Sequence, residues 1–505
     1  MNADAPLNKA ELYRVMAGLC LAMLLSALDQ TIVVTALPTI GVELGDLKAS
    51  PWIVTAYLVA ATIVTPLYGK LADIHGGRIM LMVGIAIFIV GSAACALAPN
   101  MILLAGGRAL QGMGGGGLIS LAQTIIADLV SPRERGRYQT YFAAVFVTSS
   151  VAGPLLGGLF AHYLHWSLIF WINLPLGLLA FFFANTALKR LPNRRHQHKL
   201  DYLGAGLLAL ASGLLALALG QRGAPLASLL GPLALSSLFW ALFVWRLRSA
   251  EEPFIPLSVL RDAVARNAAL SGAFGLGAFV GLSVVMPVYF EGRLGLSADG
   301  SGLALIPMMV GTVAGATLSG RSMGHLTHYK TPAMIGLAFA SAAALILAWR
   351  LVDLSLWSLI ALLTLASFGV GTMLPVSTVC VQNSVEIRNL GSATAVMQFV
   401  RQIGCALIVA LLGALVMGDG ASLDAAARNI GGATLGGAAR NIGGATLDSA
   451  ARNIGGAAAL EGLGASFHLV FIVIAICLGV SLFFLVRMEE KPLRGTPAAP
   501  RPVQP

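Results

Sequence analysis

A chain of 505 residues that is 57% hydrophobic and 11% charged, with a mean hydropathy of +0.83, is not built for water. Soluble proteins carry about 25% charged residues, so an ordinary soluble enzyme or binding domain is excluded. The 32 basic against 22 acidic residues, a net +10, suit either nucleic acid or a membrane protein with basic loops, and where the charges fall decides between them.

A helix needs roughly 20 apolar residues to cross ~30 Å of hydrocarbon, and such runs recur from Tyr13 to Met488. The expected spans lie near residues 14–40, 51–70, 78–98, 101–129, 138–162, 165–187, 202–220, 226–246, 267–290, 301–320, 332–350, 355–380, 392–417 and 467–487. The first is too long for the core of a signal peptide and is expected to be retained. The 58 glycines indicate close helix packing in lipid more than loops. Cys20, Cys95, Cys380, Cys405 and Cys477 all stand in apolar runs without metal-ligand spacing and read as packing residues.

With fourteen spans both termini share one side. If that side is the cytoplasm, 23 of the 32 lysines and arginines fall inside, 7 fall outside, and Arg108 and Arg401 lie within spans. The positive-inside rule therefore orients the chain and removes any need for nucleic acid. The densest cluster, Lys189, Arg190, Arg194, Arg195 and Lys199, reads as a topology anchor and flexible joint. Between Gly418 and Ser466 a twelve-residue unit recurs three times from Ala426 to Glu461 (AARNIGGATLGG, AARNIGGATLDS, AARNIGGAAALE). Two glycines per unit leave little apolar face to stack, so a mobile external loop is expected there.

Three strings stand at distinct places between the second and the fifth spans. After the second comes Gly69-Lys70-Leu71-Ala72-Asp73-Ile74-His75-Gly76-Gly77-Arg78, a tight turn in which Asp73 is suited to capping the helix that follows. The fourth carries Arg108-Ala109-Leu110-Gln111-Gly112, and the fifth Gly153-Pro154-Leu155-Leu156-Gly157-Gly158. On these strings the sequence resembles the major facilitator superfamily. Leu28 to Pro38 and Phe170 to Gly177 are similar to signatures of its fourteen-helix drug:proton antiporters, although Ser149 and Val34 depart from patterns seen in members. The resemblance spans about Leu12 to Met488. It implies an all-α polytopic membrane protein with two six-helix bundles around a central cavity and two additional helices between them. The gating motif would be Gly69, Leu71, Asp73, Gly76 and Arg78, and the antiporter-helix motif Gly153, Pro154, Gly157 and Gly158. A weak echo of the first string, Gly320 to Gly324, follows the tenth span, as internal symmetry would have it.

The implied division is a cytoplasmic N-terminus at 1–13, a six-helix bundle at 14–187, a basic linker at 188–201 and two extra helices at 202–246. A linker at 247–266, a second bundle at 267–487 carrying the external loop 418–466, and a cytoplasmic tail at 488–505 complete it.

An ionisable group in hydrocarbon is costly and rarely idle. Asp29 lies about 15 residues beyond Arg14, roughly 22 Å along a helix, and Arg108 about 7 residues past Met101, roughly 10 Å along one running the other way. The two reach similar depth across ~30 Å. They are expected either to neutralise each other statically or to couple protons, with Asp29 carrying the proton and Arg108 tuning its affinity. Arg401 is a third charge near mid-depth, suited either to an anionic part of a substrate or to locking the bundles together. Asp29, Arg401, Tyr57, Gln111, Gln123, Phe146, Phe274, Phe279, Met286 and Gln398 are candidates to line the cavity, with helix packing the plainer reading of the aromatics and Met286.

The glycines Gly112, Gly114 and Gly117 spell a dinucleotide fingerprint but lie in an apolar helical run, not after a strand. With no Walker lysine, no HExxH and no catalytic triad, neither an enzyme nor a cofactor is expected, and the proton gradient is the implied energy source. The expected function is export of small amphipathic or hydrophobic compounds across the inner or plasma membrane in exchange for protons. A narrow exporter of a metabolite, an aromatic acid or a lipid is the alternative on the same fold, and a receptor or channel the alternative of another class. One deep acid favours monovalent cations or neutral and weakly acidic solutes over dications. The expected partners are substrate, protons and the lipid bilayer. A monomer is expected, and a periplasmic adaptor is left open.

Overall fold

The computed structural model describes residues 9–46, 49–190, 201–220, 226–251, 253, 255, 257–417 and 447–493. Among them the regular structure is helical throughout. The first half holds α1 (Lys9–Glu43), α2 (Ser50–His75), α3 (Gly77–Ala96), α4 (Met101–Gly115), α5 (Leu118–Leu129), α6 (Pro132–Tyr163), α7 (Leu168–Trp171) and α8 (Asn173–Ala187). Two helices follow, α9 (Tyr202–Gly220) and α10 (Leu226–Ser249), and a short α11 (Leu257–Arg261). The second half holds α12 (Ala263–Gly292), α13 (Ala298–Ser322), α14 (Thr331–Arg350), α15 (Leu356–Ser384), α16 (Leu390–Met417) and α17 (Leu447–Arg487).

Chain chemistry sets these boundaries. Asn100, Asp262, Ser297 and Ser355 each accept a backbone N–H from the first turn of the helix they precede, and proline stands in the first turn of α2, α6 and α14. Between α2 and α3 only Gly76 turns the chain, at φ +93°, which disfavours any residue with a side chain.

Twelve described helices are long and apolar enough to cross a membrane. The chain is therefore a multi-pass membrane protein. The two other expected spans are helical but short by that measure. Residues 101–129 are divided into α4 and α5 because the run Gly114–Gly117 weakens the helix, and in α9 the apolar stretch is Tyr202–Leu215. The loop expected across 418–466 is corrected over its last part. Residues 447–466 continue as helix into α17, where the third repeat is richer in alanine, the best helix former. Residues 1–8, most of the basic linker (191–200), 418–446 and 494–505 lie outside the described residues.

Each half has its own apolar core. Leu19, Met23, Ile85, Phe88 and Phe142 anchor the first, and Met286, Phe290, Leu347, Phe467 and Phe471 the second. The halves meet along α2 with α16 and along α6 with α13, and α5 also packs on α16. The inserted pair α9–α10 stands against the α2–α16 seam, where Leu208, Phe243 and Trp240 pack with Leu67, Val396 and Phe399. The membrane face that carries residues 69–78 is called the near face below.

At that face the segment that leaves α17 is tied down. Lys330 donates its ammonium protons to the carbonyls of Val486 and Met488 at the end of α17, and the Tyr329 hydroxyl donates to Lys491 O at 2.7 Å. A buried cation at a helix C-terminus satisfies carbonyls that the helix itself leaves free. Lys330→Met should cost about 1.5–3 kcal/mol of stability, read as an earlier thermal transition of the purified protein in detergent.

Candidate functional site

The most polar place in the first bundle is built on Asp29, which the apolar helix α1 carries at 0% exposure. Its Oδ2 accepts from Arg108 Nη1 at 2.5 Å. Its Oδ1 accepts from Gln111 Nε2 at 2.7 Å and from Asn173 Nδ2 at 3.0 Å. Arg108 and Gln111 are one turn apart on α4 and so present to α1 together. Arg108 Nη1 also donates to Gln111 Oε1 at 2.5 Å, its Nε donates to Ile53 O at 3.1 Å, and Gln111 Nε2 reaches Ser92 Oγ at 2.6 Å. The guanidinium carbon lies 4.3 Å from the centre of the Tyr57 ring and 5.8 Å from that of Phe170. A cation between two π-faces, paired with one carboxylate, makes a net-neutral cluster that burial tolerates.

The glycines beside Arg108 permit this. A Cβ on Gly112 would lie 2.4 Å from Tyr57 O, and one on Gly114 2.3 Å from Phe88 N, so α4 sits closely between α2 and α3. The dinucleotide spelling is thus helix packing. Gly153 and Gly157 play the same part for α6 on α1, where their missing side chains leave room for Thr31 and Thr35. Thr31 Oγ1 donates to Ser149 O at 2.9 Å, one turn before Gly153. Pro154 is exposed, and Gly158 has open space beside it.

A second polar group lies where the halves meet. Gln398 Nε2 donates to Gln123 Oε1 at 3.3 Å and Gln382 Nε2 to Gln123 O at 3.2 Å, while Thr65 Oγ1 is 3.5 Å from Gln402 Oε1. Arg401, 4% exposed, adjoins this group through Gln398.

Nearer the near face, Asp73 does not cap α3, which follows it. Its carboxylate crosses to the other half and caps α16, accepting from Gly391 N and Ser392 N at 2.8 Å each and from Ser392 Oγ at 2.6 Å. The α3 N-terminus has no side-chain cap. Gly69 makes the crossing possible, since its Cβ would lie 2.4 Å from Ala395 Cβ and 2.6 Å from Gly391 O. Arg78 Nη2 turns back to Asn185 Oδ1 at 2.9 Å, and Leu71 packs on the first core.

The structure therefore gathers Asp29, Arg108, Gln111 and Tyr57 in one cluster, and Gln123, Gln398 and Arg401 in another. The other candidates are placed differently. Met286 is buried in the second apolar core, Phe279 packs against that core, Phe274 stacks on Phe484 with ring centres 6.3 Å apart, and Phe146 is exposed on α6. Sequence reasoning did not single out Asn173 and Ser92 as site residues. The available signal was an asparagine within the apolar run Phe170 to Leu179 and a serine within Met80–Leu97.

The model of the Major Facilitator Superfamily matches residues 19–409. The chain belongs to the major facilitator superfamily. Among its superfamily relatives, Multidrug resistance protein 3 of Bacillus subtilis (strain 168) is 33% identical over 403 residues, covering 79% of this chain and 78% of its own. Multidrug transporter protein MdtP of the same strain is 32% identical over 408 residues, with 80% and 75% covered. The same fold is seen in the human organic anion transporter MFSD10 (17% identity, TM-score 0.62, 93% and 99% covered). It is seen again in a proton:xylose symporter of the superfamily (14% identity, TM-score 0.64, 96% and 98% covered).

Proposed function

We propose that this superfamily member exports small amphipathic or hydrophobic compounds in exchange for protons, by alternating access. The observation that carries the reading is Asp29, a carboxylate with no exposed surface inside the membrane, held by Arg108, Gln111 and Asn173. Ionisable groups at that depth are costly to keep, and those that are kept mark proton and substrate paths in transporters. Protonation would discharge the carboxylate, weaken its bond to Arg108 and leave the guanidinium to seek another partner. That switch links proton occupancy to helix position without any cofactor. Multidrug-named relatives at about one-third identity support export as the direction and breadth as the specificity.

In this proposal the near face is cytoplasmic, both termini lie there, and the membrane is the inner or plasma membrane. The bonds joining the halves at Asp73, Gln123 and Thr65 lie toward that face, which supports a form closed to the cytoplasm. Each returning proton supplies ~2.3 kcal/mol per 100 mV, enough to drive uphill export.

The test is proton movement by purified protein in sealed liposomes under an imposed pH gradient, with dyes, biocides and aromatic acids added one at a time. Several chemically unrelated compounds should each move protons. If a single narrow class responds, the breadth is wrong, and if flux ignores the gradient, the coupling is wrong.

A further inference from the structure

The second bundle buries a charge that the scheme above leaves unused. Arg401 sits on α16, eleven residues past its start and so about 16 Å in, and its side chain is surrounded by α12 and α15. Its Nη2 donates to Ser377 Oγ at 2.5 Å and to Thr378 Oγ1 at 3.3 Å, and its Nη1 reaches Gln398 Oε1 only at 3.5 Å. Its buried Nε has no acceptor and lies against Gly272, whose missing side chain leaves the space. Among the described residues Arg401 forms no ion pair, whereas Arg108 in the first bundle has Asp29.

A guanidinium that merely locked helices together would be expected to have its donors met, because an unmet buried N–H and an unmatched buried charge both oppose folding. Here every partner is a neutral oxygen, one donor is unmet and another is loosely held. The loose Nη1 edge lies toward Gln398 and, through it, Gln123, at the seam between the halves. What the group lacks is an anionic oxygen that would match its charge and take the loosely held nitrogen, the charge-assisted bond a carboxylate makes to a guanidinium.

We infer that Arg401, with Gln398 and Gln123 at its outer edge, is a binding subsite for the carboxylate of an amphipathic organic acid. This deepens the export reading given above and rests on it for the route by which the acid arrives. The acid would take Nη1 and displace the 3.5 Å contact to Gln398, so that the second bundle binds the anionic end of the substrate while the first handles the proton. Ser377 and Thr378 would hold the other nitrogen in place and fix the plane of the fork.

The test compares binding of radiolabelled 2-naphthoate and dodecanoate with that of their primary amides, to purified full-length protein in detergent and without any gradient. At least one acid should bind more tightly than its own amide, and Arg401→Gln should lower that acid-to-amide ratio roughly tenfold or more, as expected for loss of a charged hydrogen-bonding partner. Arg401→Lys, which keeps the charge without the fork, should fall between. If Arg401→Gln does not accumulate, Gly272→Ala is read instead, since its methyl would press on Nε and should also lower the ratio. Equal binding of acid and amide by the unaltered protein, or a ratio that the substitutions leave in place, would overturn the inference. Because no gradient is present, absence of proton coupling in liposomes leaves this result standing, and the reverse also holds.

Discussion

Asp29→Asn should reduce substrate-driven proton movement in liposomes to the passive leak. The substitution is nearly isosteric, and its carbonyl can still accept from Gln111 and Asn173. It turns an amide N–H toward Arg108 Nη1, however, so two donors face each other where an ion pair stood 2.5 Å apart. The arginine is left as an unmatched buried charge, a loss that for buried pairs runs to about 3–5 kcal/mol. Reduced stability alone would therefore be ambiguous. The double variant Asp29→Asn with Arg108→Gln removes both charges and should recover most of the stability, yet it should remain uncoupled. If it regains proton-driven transport, the pair is a static neutraliser and the carrier must lie elsewhere.

Asp73→Ala should shift the protein toward a form open at the near face. Three donors on the first turn of α16 depend on that one carboxylate, and the helix dipole adds to its hold. Charge-assisted bonds are worth about 1.5–3 kcal/mol each at most in net terms, and two conformations of a transporter differ by only a few kcal/mol. A net loss of ~2 kcal/mol would change their ratio roughly thirtyfold. Spin labels at positions 75 and 388, in a background without the five cysteines, should report longer distances in Asp73→Ala. Ser392→Ala, which removes only the hydroxyl bond, should give a smaller change. An unaltered distance distribution in both would mean that this clasp does not set the resting state.

The fold was largely legible because hydrocarbon imposes one rule on every span. A run of about 20 apolar residues is a helix, and its ends follow from caps and prolines that can be seen in the sequence. The exceptions have local causes. The glycine run at 114–117 interrupts what reads as one span, and the alanine-rich third repeat extends α17 beyond its apolar part. The polar cluster was half legible. Depth arithmetic placed Asp29 and Arg108 at one level, but depth says nothing about rotation around a helix, so Asn173 and Ser92 went unmarked. Asp73 shows the deeper limit. Its spacing suits a cap for the helix next in sequence, while its true partner lies 318 residues away on a helix that only tertiary packing brings near.

The same packing gives the near face two unequal sides. Where α13 crosses α6, the backbones of Gly320 and Gly136 touch almost directly, each leaving no room for a Cβ beside the other's carbonyl. Gly320 opens the echo of the Gly69 string and meets the start of α6 much as Gly69 meets the start of α16. Yet the place four residues on, held by Asp73 in one copy, is held by Gly324 in the other. One side is thus fastened by a charged clasp, and the other is a close crossing of two glycine backbones with Met323 packed beside it. Loss of that one carboxylate would therefore loosen the face unevenly, at the α2–α16 edge first, while the contacts of Gln123 and Thr65 and the glycine crossing of α6 with α13 stay in place.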